Sequence, residues 1–387
     1  MERIYDEDVC CCALNRIFGF KPRVALALIS SLGSASQVFR LKAGELDRLL
    51  GTDAPARRMI CRQTLSDTAE ELDGLYGKGY SFIRIGSSGY PKLLAECEDP
   101  PLGLYVRSTS APESIFNDST AVAVVGTRDI SDYGKEWCRK ITGALSRSRP
   151  APAIVSGLAL GTDITAHVTA LELGAPTIAV MATGIDSIYP SRHRNIAERI
   201  ASTPGCALVT DYPPGTSPLQ INFIRRNRII AGMSHATILI ESKSKGGGML
   251  TARLAFSYSR DVYALPGRID DTRSQGCNIL IKEKVAESIL SEKLLVESIG
   301  LKFREEAGRP DPAETVRAMY MEKYCEDKIS RLSRIVLHIK KHRGITVEEL
   351  ALSLGIPYKE VLECTALLET DGIISSDLLQ RCYIRLK

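Results

Sequence analysis

From Thr120 onward, short β-rich runs alternate with helical patterns, and no other feature limits the fold so sharply. The apolar runs are Ala121–Val125, Ala153–Val155, Thr177–Ala182, Cys206–Val209, Thr237–Ile240 and Val262–Ala264. Between them, Tyr133–Leu145, Asp163–Leu173, Ser191–Ala201, Pro218–Ile230 and Met249–Tyr258 read as helices. Such alternation predicts a parallel sheet with helices on both faces. In sheets of that kind, ligands bind beyond the carboxyl ends of the strands. The loops that follow each run are therefore where function is sought.

The flanks read differently. Residues 1–75 predict short helices, with Gly33 as a break and Gly51 as a C-cap, and so a small helical domain. Residues 76–298 hold the α/β domain, and residues 299–328, which include "GRPDPAE", read as a linker. Residues 329–387 predict helices over Ser330–His342, Thr346–Leu354 and Tyr358–Thr370, followed by a closing hairpin, which is the winged-helix pattern.

Composition excludes some classes. Of 387 residues, 44% are hydrophobic and 25% charged, as in ordinary globular proteins. A net charge of +4 is too small to identify a polyanion ligand, so local clustering must carry that argument. The 11 cysteines include Cys10-Cys11-Cys12 but form no CxxC pair, so no zinc site is expected. Scattered thiols and the acidic start "MERIYDEDVC" predict a cytoplasmic protein with no leader. No apolar run approaches the roughly 20 residues that span a bilayer, so no membrane partner is expected.

The first strand exits into "VVGTRDISDYG", where Gly126 permits a tight turn and Thr127 and Arg128 project beyond the strand. This is not GxGxxG, and a dinucleotide site is disfavoured. The second exits into "SGLALGTDITAH": Ser156 and Gly157 close the strand, and Thr162 or Asp163 caps a helix. Asp163 and His167 stand four apart, either as a catalytic pair or as a cap with a local hydrogen bond. The third exits into "ATGIDSIYPSRHRN". The fourth exits through "DYPPG" to "NFIRRNRIIAG", which predicts a helix with Arg225, Arg226 and Arg228 at its first turns. The fifth exits into "ESKSKGGGMLTARLA", where Gly246, Gly247 and Gly248 before a helix expose backbone amides to an anion. Lys243 and Lys245 flank that start, and Thr251 sits in its first turns.

Arg128, Arg225, Arg226, Arg228, Lys243 and Lys245 thus gather at one sheet edge beside two glycine-bearing helix starts. Bare cations would repel one another there, and a polyanion across them relieves that repulsion and releases counterions. Charge is costly to bury without a partner. At least one arginine is therefore expected to pair with a carboxylate such as Glu241 or Asp211. The loops offer few aromatics for base stacking: Tyr189, Tyr212 and Phe223.

Taken in order, "VAVVGTRDISDYG", "IVSGLALGTDITAH", "TIAVMATGIDSIYP", "DYPPGTSP", "RRNRIIAGMS", "KGGGMLTARLA", "YALPG" and "QGCNILI" resemble the DNA-processing protein A (DprA, or Smf) family over about residues 76–290. The resemblance implies an α/β fold: an extended Rossmann-like parallel sheet core, a small N-terminal helical domain similar to SAM or helix-hairpin-helix modules, and a C-terminal winged helix. It implies binding of single-stranded DNA, protection of incoming strands in natural transformation, delivery to RecA recombinase, and homodimerisation. It implies neither catalysis nor a cofactor. By resemblance, Arg128 is a phosphate contact, Ser156 and Gly157 match the Ser-Gly loop, and Arg226, Asn227 and Arg228 match the Arg-Asn-Arg element. Lys245 to Gly248 match a loop that usually carries two serines, so amides must replace hydroxyls. Asp129 stands where many members have a second cation, and Ile224 replaces a frequent proline. Ile279, Leu280 and Ile281 are candidate dimer contacts.

Two other readings compete. A nucleotide phosphoribohydrolase of related fold needs a carboxylate at the ribose, and the helix start Met249-Leu250-Thr251-Ala252-Arg253 carries no acid. A regulator acting through the winged helix needs a basic recognition helix. Here that helix carries Lys359 against Glu360, Glu363, Glu369 and Asp371, which favours partner docking or weak DNA contact.

Overall fold

The computed structural model describes residues 5–19, 21–304, 312–342, 344–377 and 380–385. The chain forms two compact units, Met1–Arg304 and Glu305–Lys387.

The first unit is built on a nine-stranded sheet. Its strands are β1 (Tyr80–Arg84), β2 (Gly103–Arg107), β3 (Ala121–Val125), β4 (Ala153–Ser156), β5 (Thr177–Val180), β6 (Ala207–Thr210), β7 (Ala236–Leu239), β8 (Asp261–Ala264) and β9 (Glu287–Ser288). The order across the sheet is β1-β2-β6-β5-β4-β3-β7-β8-β9. From β6 to β9 all neighbours are parallel, whereas β1–β2 is an antiparallel hairpin that joins β6 antiparallel. Every residue of β3 to β7 is buried, which both-sided helix cover requires. Alternation sorts their side chains. Ala121, Ala123 and Val125 pack with Ile229, Met249 and Ala252 on one face. Val122 and Val124 pack with Cys138, Ile141 and Ala166 on the other.

The expected strands and helices are present with small shifts of boundary. Six short helices between Glu7 and Tyr76 lie against the sheet rather than forming a compact unit of their own. Cys10, Cys11, Cys12 and Leu14 are buried in one apolar cluster with Phe82, Tyr105 and Leu208. The Asn15 side chain donates to the Asp211 carbonyl at 2.8 Å. The triple cysteine is thus core, with burial as the chief cause that pushes each thiol up to about 12.

The second unit contains helices Pro312–Tyr320, Glu326–Lys341, Val347–Leu354 and Tyr358–Thr370. A three-stranded antiparallel sheet from Ile345–Thr346, Ile374–Ser376 and Arg381–Ile384 completes it. The expected linker is interrupted by the first of these helices. Val316 and Tyr320, four apart, bury themselves beside Ile329 and Leu332, and that apolar spacing outweighs the surrounding charge. Residues 308–311 of the "GRPDPAE" stretch lie outside the described residues. Among the described residues no helix is long and apolar enough to cross a membrane.

Candidate nucleic-acid interface

The chain leaves β3 toward β4, β5 and β6 on one side, then returns to β7 on the other. Loops at the carboxyl ends of β3 and β7 therefore diverge, and an open α/β sheet forms its binding crevice at such a reversal. A cleft of about 730 Å³ opens here. Gly126, Thr127 and Arg128 line it from the β3 loop, and Lys243, Lys245 and Gly246 to Gly248 from the β7 loop. The Thr127 amide donates to the Glu241 carbonyl at 2.7 Å and ties the two loops together. A Cβ on Gly126 would meet Thr162 Oγ1 at 2.4 Å, so this close approach requires glycine. Helix Gly247–Ser257 begins at the cleft with no side-chain cap, which leaves the Gly247 and Gly248 amides to an anion, while the Met249 amide donates to the Gly246 carbonyl at 3.1 Å. Thr251 lines the cleft too, its hydroxyl donating to the Gly247 carbonyl at 3.3 Å.

Helix Gln220–Gly232 places the arginines in its middle turns, not its first turns as the sequence suggested. They part company. Arg226 is only 3% exposed yet reaches the cleft lining, beside Asn227. Its guanidinium donates to the Val180 carbonyl and crosses Gly157, where a Cβ would lie 2.0 Å from a guanidinium nitrogen. Burial, followed by the effect of Arg128, lowers its pKa to about 10; Asp163 opposes the shift, and the group stays cationic at neutral pH. Asp163 is held by the Gly157 and Ala159 amides at 3.1 and 3.3 Å, and burial raises its pKa.

Arg228 does not line the cleft. It donates to the Asp99 carbonyl and to Asp211 Oδ2 at 2.5 Å, with both side chains 10% exposed or less. Burial pulls its pKa down, but Asp211 and Asp99 outweigh that and the guanidinium ends raised. Here is the structural pair expected of the arginine cluster. Glu241 is engaged elsewhere. Its carboxylate accepts from the Ser131 amide at 2.9 Å and from the Ser131 hydroxyl, ahead of helix Asp132–Arg147. Arg225 is half-buried and outside the cleft lining.

Ser156 is fully buried, with its hydroxyl on the Val124 carbonyl at 2.7 Å, so Ser156 and Gly157 lie behind the lining rather than in it. Asp163 and His167 do not hydrogen-bond to each other among the described residues. His167 Nδ1 lies 2.7 Å from Thr177 Oγ1, and burial, then Arg226 and His193, pushes its pKa down to about 3. The exposed Arg128 guanidinium stacks 4.8 Å from the Phe223 ring centroid, and Tyr189 meets Phe223 edge-on at 5.5 Å. Both aromatics line the cleft, so it combines fixed cations, bare amides and stacking faces. Pro218, Ile224 and Leu250 add apolar lining; the sequence motifs contain all three but assigned none of them a contact. Of the candidate dimer contacts, Ile279 and Ile281 are half-buried, but Leu280 is wholly within the core and offers no surface.

Residues 81–300 match the family described as DNA recombination-mediator protein A. The Smf protein of Synechocystis sp. is 40% identical over 223 residues, which cover 58% of this chain and 55% of that protein. The chain thus matches about half the length of this relative. The crystal structure of DNA processing protein A from Streptococcus pneumoniae superposes with a TM-score of 0.63 at 29% identity, covering 76% of this chain and 97% of that one. DNA processing protein A from Helicobacter pylori, solved for its unique single-stranded DNA binding mode, gives 0.50 at 28% identity over 57% of this chain and 95% of that one.

Proposed function

Because this chain belongs to the DNA recombination-mediator protein A family, we propose that it binds single-stranded DNA in the cleft between the β3 and β7 loops. It protects the strand and delivers it to RecA recombinase during transformation and recombination inside the cell. The observation that carries the reading is one juxtaposition: Arg128, Arg226, Lys243, Lys245 and the uncapped start of helix Gly247–Ser257 line the same crevice as Phe223 and Tyr189. Cations and amides suit phosphates; the aromatic faces suit bases that only an unpaired strand exposes.

The activity is binding rather than catalysis. Asp163 and His167 are spent on structural hydrogen bonds. No carboxylate stands in the first turns of helix Gly247–Ser257 to act on a ribose. Incubation with AMP should therefore release no free base. Helix Tyr358–Thr370 of the second unit, with its C-cap Asp371, has most of its acids engaged: Glu360 with Arg331, Glu369 with Ser376 and Asp371 with Tyr320. What remains is poor in cations, which supports partner docking over duplex reading. Self-association as a homodimer belongs to the same proposal.

One salt titration tests the central claim. Single-stranded oligonucleotides should bind more tightly than duplex of the same sequence, with affinity falling as salt rises by about 0.7 log units per log unit for each phosphate neutralised. Equal affinity for both forms would overturn the assignment.

A further inference from the structure

Two acids line the cleft among the described residues, and they differ in kind. Asp163 is buried and fixed by amides, whereas the Asp129 side chain is 69% exposed. An exposed carboxylate beside Arg128 opposes a polyanion, yet its charge is already answered. Arg273 donates from Nε to the Asp129 carbonyl and from a terminal nitrogen to Asp129 Oδ2, both at 3.0 Å. The Arg273 backbone is equally well placed. Its amide donates to Asp271 Oδ1 at 2.9 Å, and its carbonyl accepts from the Ser242 amide at 2.7 Å. Ser242 itself lines the cleft. Arg273 thus bridges the β7 loop, through its backbone, to the β3 loop, through its side chain.

We propose that Arg273 is a further strand-binding residue, held by Asp129 until a phosphate replaces that carboxylate. The inference rests on the cleft being the strand site. The bonds to Asp129 use two of the five guanidinium N–H groups, and the Arg273 side chain is 36% exposed. Exposed pairs of this sort contribute little to stability, so exchanging carboxylate for phosphate costs little. The terminal nitrogen can donate to a phosphate oxygen as it does to the carboxylate, while Nε stays on the Asp129 backbone carbonyl. The Arg228–Asp211 pair, at 10% and 7% exposure, has no such freedom. Arg273 itself lies just outside the lining, beside Asp129 and Ser242, so exchange adds one cation at the cleft's edge and sends the Asp129 carboxylate to solvent.

The test uses the full chain, a fluorescent oligothymidylate long enough to cross the cleft, and anisotropy titrations over a range of KCl. Arg273→Ala should bind about threefold to tenfold more weakly, with a salt slope shallower by about 0.7, while Arg273→Lys keeps the slope. Asp129→Asn should tighten binding by about threefold, and the gain should vanish in the Asp129→Asn/Arg273→Ala double variant. A wild-type slope in Arg273→Ala, or a gain that persists in the double variant, overturns the proposal. Should Arg273→Ala melt early, Arg273→Gln, which removes the charge but keeps much of the side chain, is held to the same two criteria. If the wild type and Arg128→Ala bind with the same weak, salt-independent affinity, the cleft reading itself falls, and that outcome is distinct from the others.

Discussion

Arg226 and Arg228 stand two positions apart on one helix, and about 200° of rotation separates their side chains. One therefore reaches the cleft floor while the other meets Asp211 beneath the β6 loop. Their substitutions should separate cleanly. Arg228→Ala leaves Asp211 as a buried carboxylate without its partner and should cost about 3–5 kcal/mol of stability in urea denaturation. Arg128→Ala removes an exposed side chain; it should leave the melting temperature unchanged but weaken oligonucleotide binding by about 1–3 kcal/mol. Gly157→Ala tests Arg226 indirectly, since the added methyl occupies the guanidinium's place and should weaken binding more than it changes the fold. The sequence showed that cations gather near this edge and that one needed a carboxylate. It could not say which, because Asp211 and Glu241 both follow strands, and only the strand order brings Asp211 beneath Arg228. Helical period alone does exclude Arg226 and Arg228 from one face.

At the scale of elements, the parallel strands were legible because β3 to β7 are buried on both faces and so read as unbroken apolar runs. Their order was not, since every helical crossover looks alike in one dimension. The helix Pro312–Tyr320 was hidden because Val316 and Tyr320 sit among charged neighbours in a stretch broken by prolines. Helix Thr162–Glu172 shows how a motif misleads: the Asp-x-x-x-His spacing is real, but each side chain bonds elsewhere. It also makes a pH prediction. In the unfolded chain His167 titrates near 6.5, whereas in the folded chain burial holds it near 3. Between those values the unfolded chain carries the extra proton, so this group costs stability as pH falls, at about 1.4 kcal/mol per pH unit once well below 6.5. Above 6.5 it contributes no slope. Asp163, with its pKa raised by burial, acts in the opposite sense in acid, so the readout is a difference. His167→Gln should lose stability less steeply than wild type between pH 6 and 4, measured as urea midpoints. Equal slopes would place the imidazole in solvent.

At the scale of the whole molecule, the sequence suggested a boundary near residue 75, because the pattern changes there from short helices to strands. Packing does not respect that change. Leu14 and Leu72 share a buried cluster with Phe82, Tyr105 and Leu208 of the sheet, Cys12 Sγ lies 3.1 Å from the Tyr105 hydroxyl, and Arg84 pairs with Asp8 at 2.8 Å. The break falls instead after Arg304, where contacts divide. Two truncations therefore have opposite expected outcomes. A chain ending at Arg304 keeps every described side chain of the cleft and a complete apolar core, so it should fold cooperatively and bind single strands with wild-type affinity and salt slope. A chain beginning at residue 76 uncovers Phe82, Leu102, Tyr105, Met181 and Leu208 and removes the Asn15 bond to the Asp211 carbonyl. Uncovering large side chains forfeits about 1.5–3 kcal/mol apiece, so several together approach the whole stability of a domain. That chain should aggregate or melt far below the intact protein, and even the soluble fraction should bind poorly because Asp211 anchors Arg228 within the helix that carries Arg226. A well-folded, strand-binding product from the second truncation would mean that the N-terminal helices are an appended domain after all, and that the sheet needs no cover on that face.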